Sequence, residues 1–188
     1  YKLTPGMSNR TLIGNLRGGY QEAVKLRFSN IRLKENLAAV LGENFQADSA
    51  QFSALLNNEA LAEQYGFTKD NFYAMFIPNT YEIYWNTSPE KVIERLNEEY
   101  KKFWTAERLE KAKALNMTPA EVSILASIVR GEALHNDEMP MIAGLYLNRL
   151  KKGMLLQADP TVIFANNDFT IRRVLNKHLT IDNPYNTY

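Results

Sequence analysis

The residue of this chain best placed to do chemistry is a carboxylate at the end of an apolar stripe. Thr118 to Glu132 reads as a helix: Thr118 can cap it, Pro119 suits its first position, and Glu121 completes a capping box. At about 100° per residue, Val122, Leu125, Ile128 and Val129 share one face. Glu132 falls on that face, while Arg130 points the other way. A carboxylate half-buried among apolar side chains keeps its proton longer than one in water, which suits a general acid. The competing reading is a solvated or ion-paired Glu at a helix end frayed by Gly131.

Other chemistry-bearing groups follow Glu132 in the sequence. Asn148 and Arg149 lie in a helix expected from Met141 to Leu150, opened by Pro140 and ended by Lys151, Lys152 and Gly153. Leu156 to Val162 reads as a tight polar loop carrying Gln157, Asp159 and Thr161. Asp159 has two readings, the cap of a helix starting at Pro160 or a second carboxylate. Asn186 and Tyr188 lie in the turn-like Pro184 to Tyr188 segment. His135, Asp137 and Glu138 sit in a polar loop with no matching second cluster, so no metal site is expected, and no organic cofactor either.

These groups need elements to hold them, and composition bounds what those can be. The chain has 188 residues, 45% hydrophobic and 23% charged, with a formal net charge of +1. Such a chain can build one good core or two small ones. Near-neutral charge argues against a nucleic-acid binder. No apolar run is long enough to span a membrane as a helix. Cysteine is absent, which removes disulfides, thiolate ligands and Cys nucleophiles. A start on Tyr1 reads as a fragment or a processed form.

The expected fold is α+β, with a small strand-bearing N-terminal module before a mainly helical C-terminal half. Tyr1 to Thr4 and Val24 to Phe28 read as strands, each followed by a helix (Ser8 to Leu16, Arg32 to Leu41), as in a weak duplication. Gly18-Gly19 and Gly42 are expected to end those helices. Residues 43–75 look helical, with Phe52, Leu55, Leu56 and Leu61 on one face. Phe76 to Trp85 is aromatic-rich, either an extended clamp between subdomains or a stacking wall for sugar rings. Ser88-Pro89 opens a long charged helix expected to reach Leu115.

Taken in order, four motifs carry a resemblance. They are Ala126-Ser127-Ile128-Val129-x-x-Glu132, Asn148-Arg149-Leu150 with Gly153-Met154, Leu156-Gln157-x-Asp159-Pro160-Thr161-Val162, and Tyr185-Asn186-Thr187-Tyr188. The series resembles the endolytic murein transglycosylases of the MltG (YceG-like) family. Pro78-x-Thr80-Tyr81 is similar to the start of that family's catalytic domain. The resemblance implies a LysM-like region over 1–75 and a catalytic domain over 76–188, truncated at its C-terminus. It implies a bacterial enzyme of the cell envelope, on the outer, periplasmic face of the cytoplasmic membrane, held by an anchor outside this chain. Its partners would be peptidoglycan glycan strands and the wall-synthesis machinery.

The resemblance also implies the roles. The family's catalytic acid is the second carboxylate of an acidic-x-Glu pair, which falls on Glu132; the first position is Arg130 here. Glu132 would act as acid and then base, cutting between N-acetylmuramic acid and N-acetylglucosamine to leave 1,6-anhydro ends. Gln157 and Asn186 would hold acetamido groups or orient Glu132. Tyr188 would bond the carboxylate or stack on a ring, and Asn148 and Arg149 would reach lactyl carboxylates or pair with acids. Asp159 and Thr161 would bind substrate or steady their loop. Two alternatives stay open: a hydrolytic muramidase using Glu132 and Asp159, and a non-catalytic peptidoglycan-binding protein, in which Arg130 would hold Glu132 ionised.

Overall fold

The computed structural model describes all of residues 1–188 and confirms an α+β chain dominated by helices. The elements are α1 (Asn9–Gly18), β1 (Val24–Phe28), α2 (Lys34–Asn44), α3 (Ser49–Leu56), α4 (Glu59–Gln64), β2 (Asn79–Ile83), α5 (Pro89–Phe103), α6 (Ala106–Ala114), α7 (Pro119–Glu132), α8 (Met139–Lys151), α9 (Asp159–Ala165) and α10 (Asn176–Leu179). The chain packs as two compact units, Tyr1–Arg108 and Leu109–Tyr188. The 76–83 segment, read from the sequence as the head of the second domain, forms β2 and pairs with β1 in the first unit.

The first unit is built on a two-stranded antiparallel sheet, with Val24 opposite Ile83 and Phe28 opposite Asn79. Alternation along β1 buries Leu26 and Phe28, and along β2 it buries Tyr81 and Ile83. Tyr81 stacks obliquely on Phe28 at 5.5 Å between ring centres and donates its hydroxyl to the Ile77 carbonyl. Against this sheet and its neighbours pack Leu37 and Leu41 of α2, Phe52 and Leu56 of α3, and Val92, Ile93 and Leu96 of α5, all buried. Phe72 meets Phe76 edge-on at 5.5 Å and packs beside Phe67 and Tyr65.

Several expectations are corrected here. Tyr1 to Thr4 is not a strand: these residues are exposed and join no sheet, so the two strand–helix units are not duplicates. Gly19 does end α1, in the left-handed conformation at φ 66°. Gly42 does not end α2, which runs on to Asn44. A side chain there would meet the Ser49 backbone nitrogen at 2.5 Å, so Gly42 is what lets α2 and the start of α3 touch. The long charged helix breaks in two at Trp104. Trp104 is buried, and its backbone (φ −84°, ψ 71°) leaves the helical region.

The second unit is a layer of helices. Leu125 and Val129 of α7, Tyr146 of α8 and Ala158 form its buried centre, with Met117, Ile128, Ile142, Leu147 and Leu156 packed around them. The helix expected at Thr118 is present, with its capping box complete: Thr118 Oγ1 accepts from the Glu121 amide at 3.2 Å, and Glu121 accepts from the Thr118 amide at 2.7 Å. No helix in either unit is long and apolar enough to cross a membrane.

Both tryptophans, Trp85 and Trp104, belong to the first unit, so their fluorescence reads that unit alone. Phe72→Ala empties the middle of its aromatic cluster and is expected to cost about 3–5 kcal/mol. A urea titration followed by tryptophan emission checks this; an unchanged midpoint would mean the cluster does not support the unit.

Candidate active site

Glu132 is the last residue of α7, and Asp159 the first of α9. The two helices pack so closely that a side chain at Gly131 would come within 2.9 Å of Pro160 Cβ. Gly131 thus serves close approach rather than fraying, and it brings Glu132 and Asp159 to one cleft of ≈ 210 Å³. Gly131, Pro160, Ile163, Arg172 and Val174 complete the lining. The cleft is small and open, a shape that suits an elongated ligand passing over it better than one swallowed whole.

Glu132 is not half-buried, as the stripe suggested. Its neighbours Leu125 and Val129 reach the core, but Glu132 lies one turn further on, at the rim, and is exposed. Its carboxyl is nevertheless pushed above the ordinary carboxylate range. Loss of solvent on its protein-facing side is the larger cause, and the like charge of Asp159 adds to it. The Tyr146 hydroxyl opposes both by hydrogen-bonding the ionised form. Arg130 is exposed and is not among the groups that act on Glu132.

Tyr146 is the functional residue that sequence reasoning missed. Its ring is buried in the centre of the second unit, while its hydroxyl faces Glu132. Burial first, then Glu132 and Asp159, pushes that phenol up to about 12. The available signal was a tyrosine on the inward face of a helix, where its hydroxyl needs a partner.

Asp159 does not cap α9; that position belongs to Ala158. Its Oδ1 instead accepts a 2.6 Å hydrogen bond from the Tyr188 hydroxyl. The Tyr188 phenol is raised to about 12, chiefly by that bond. Tyr188 therefore bonds a carboxylate, though not Glu132's.

The remaining expected residues act mostly on the backbone around the cleft. Thr161, buried, donates to the Ala158 carbonyl at 2.7 Å and bonds the Thr187 hydroxyl at 2.8 Å. Asn186 spends its amide on the Leu179 and Ile181 carbonyls, at 2.8 and 3.0 Å, and its oxygen on the Tyr188 amide. Gln157 sits at φ 52° and accepts from Arg149, whose Nε also donates to the Leu155 carbonyl at 2.7 Å. Arg149 thus ties down the 155–157 loop rather than pairing with an acid. Asn148 is exposed on α8 and does not line the cleft. His135, Asp137 and Glu138 form a 3₁₀ turn in which Glu138 accepts from the Leu134 and His135 amides at 3.0 Å. Of the aromatic wall, only Tyr84 and Trp85 are exposed. Tyr84 lines a separate cleft in the first unit with Gly19, Asn86 and Lys91.

The YceG-like family model matches residues 1–188. An endolytic murein transglycosylase of Bacillus subtilis (strain 168) is 48% identical over 64 residues, covering 34% of this chain and 18% of the relative. That of Streptococcus pneumoniae serotype 2 is 25% identical over 185 residues, covering 94% of this chain and 31% of the relative. The crystal structure of a yceG-like protein from Listeria monocytogenes matches all of this chain and 67% of its own, with TM-score 0.73 at 24% identity, and so shares the fold. The chain spans less than a third of the length of these curated relatives. The match runs the full length of the sequence, and the chain belongs to the YceG-like family.

Proposed function

We propose that the protein carrying this chain is a lytic transglycosylase that cuts peptidoglycan glycan strands internally, with Glu132 as general acid and then base. The observation that carries this reading is the cleft in which Glu132, its pKa raised, faces Asp159 and is met by the Tyr146 hydroxyl. Family membership supports it, as does the activity named for the relatives.

In this mechanism, protonated Glu132 gives its proton to the glycosidic oxygen between N-acetylmuramic acid and N-acetylglucosamine. The bond to C1 of the muramyl residue breaks, and positive charge develops there. Asp159, oriented by Tyr188, offsets that charge. Ionised Glu132, supported by Tyr146, takes the proton of the same sugar's C6 hydroxyl as its oxygen bonds C1. A 1,6-anhydro end forms without water, and Glu132 is protonated again.

One observation favours a second reading. Asp159 shares the cleft with Glu132, so a hydrolytic muramidase could use it as base or nucleophile. Gln157, Asn186 and Thr161 then act on strand binding through the loops they hold, not on the reacting bond. Residues 1–75 are read as a LysM-like region, a reading supported by β1 packing on α2 and α2 on α3. On this reading the protein works in the cell envelope, with the wall-synthesis machinery as its proposed partner.

Mass spectrometry of digested uncrosslinked strands tests the reaction. Internal 1,6-anhydro products are expected, falling at least a hundredfold in Glu132→Gln. Reducing ends would move the answer to hydrolysis.

The pH profile tests the coupling of the two acids. Activity needs protonated Glu132, so it falls as pH rises through that group's pKa, which lies above the ordinary carboxylate range. Asp159→Asn removes the like charge and lowers that pKa, so the alkaline limb is expected to move to lower pH. A limb that stays put would remove Asp159 from the account.

Gly131→Ala tests the helix approach. Its Cβ must push α7 and α9 apart, and about 1 Å of misplacement is expected to cost roughly a hundredfold in turnover. Wild-type kcat in this variant would show that the spacing is not critical.

A further inference from the structure

Arg172 is the cation among the residues lining the Glu132–Asp159 cleft, and nothing in the mechanism above uses it. Its side chain is exposed and closes on neither acid. Ion pairs of the chain include Lys2 with Glu22, Arg95 with Glu98 and Glu99, and Lys102 with Glu99, and none of these involves Arg172. The groups that act on Glu132 are Asp159 and Tyr146, so the guanidinium stands off from the acids it shares the cleft with. Arg149, another arginine of the second unit, is committed to the Leu155 carbonyl and Gln157. Ile163 and Val174 supply apolar lining in the same cleft.

A cleft of this kind is polarised. It holds two carboxylates, which would repel an anion, and a separate guanidinium with its donors unspent. A ligand matching it presents a neutral oxygen to the acids and an anion to the arginine. Guanidinium recognises carboxylate through paired, charge-assisted hydrogen bonds. We infer that Arg172 is the anion receptor of this cleft, binding a carboxylate borne by the muramyl residue of the strand and so selecting carboxylated glycans over neutral ones. This rests on the glycan-strand reading above. The carboxylate has two possible sources, the lactyl group itself or the peptide attached to it.

The test measures binding by calorimetry in the Glu132→Gln background, which prevents turnover, with and without Arg172→Gln. Three ligands are compared: strands bearing stem peptides, strands stripped of them so that the lactyl carboxylate is free, and neutral N-acetylglucosamine oligomers. Arg172→Gln is expected to weaken carboxylated strands about tenfold and leave neutral oligomers unchanged, with Arg172→Lys intermediate. A loss confined to stripped strands assigns the lactyl group, and a loss confined to stem-bearing strands assigns the peptide. Equal affinity with and without Arg172, or an equal loss on neutral oligomers, overturns the inference. Cleavage by the wild-type protein is scored separately. Cleavage with no Arg172 dependence sinks the receptor and spares the transglycosylase. Arg172-dependent binding without cleavage does the reverse, and no binding of any glycan sinks both.

Discussion

Two like charges held in one cleft repel, and the rest of the second unit is arranged to hold them there. The contact that sets their spacing is α7 against α9 at Gly131 and Pro160, where no Cβ fits. Leu125 and Val129 pin α7 to Tyr146 and Ala158. The other side is pinned by the 186–188 segment. Gln157 donates to the Thr187 carbonyl at 2.9 Å, the Ala158 amide to the Thr187 hydroxyl at 3.0 Å, and Tyr188 to Asp159 at 2.6 Å. Residues that looked like substrate ligands are therefore largely what keeps the two carboxylates in register.

Each carboxylate has its own phenol, so the two meet different surroundings. Tyr146 and Tyr188 are both raised to about 12, so each remains a donor at neutral pH. Tyr188 reaches Asp159 with a short bond. Tyr146 supports ionised Glu132 but does not outweigh desolvation and the Asp159 charge, so Glu132 still holds its proton longer. A group that must give a proton and take one back needs opposing influences of this kind, neither fully dominant.

What the sequence revealed and what it hid divide by range. The α7 capping box and the αL glycine after α1 are interactions between residues a few positions apart, and both were legible. So was β1, because its alternation is local. The Tyr1 to Thr4 strand failed because a strand exists only with a partner, and β1 took β2 from fifty-odd residues away. The break at Trp104 carries no Pro or Gly; the indole is buried there, and the Thr105 hydroxyl, accepting from the Arg108 amide at 3.4 Å, caps the new helix. In the site, Glu132 was found from helical period, but its depth was overstated because the stripe ends one turn short of it. The pairings of Asp159 with Tyr188 and of Glu132 with Tyr146 cross between elements, and no spacing rule encodes them.

The residue proposed as the acid is also one that the fold tolerates at a cost. For Glu132 the folded-state pKa lies above the unfolded value, so the folded state binds its proton more tightly. The contribution is then neutral below the ordinary carboxylate pKa and turns unfavourable as pH rises through the window up to the raised value. Once ionised, the group works against folding. That penalty is local to α7, α8 and α9, which are the helices whose packing places Glu132. The apolar contacts of Leu125, Val129, Tyr146 and Ala158 therefore do two things at once: they hold the unit together, and they oppose the relaxation that would let Glu132 swing into water and lose its acid character.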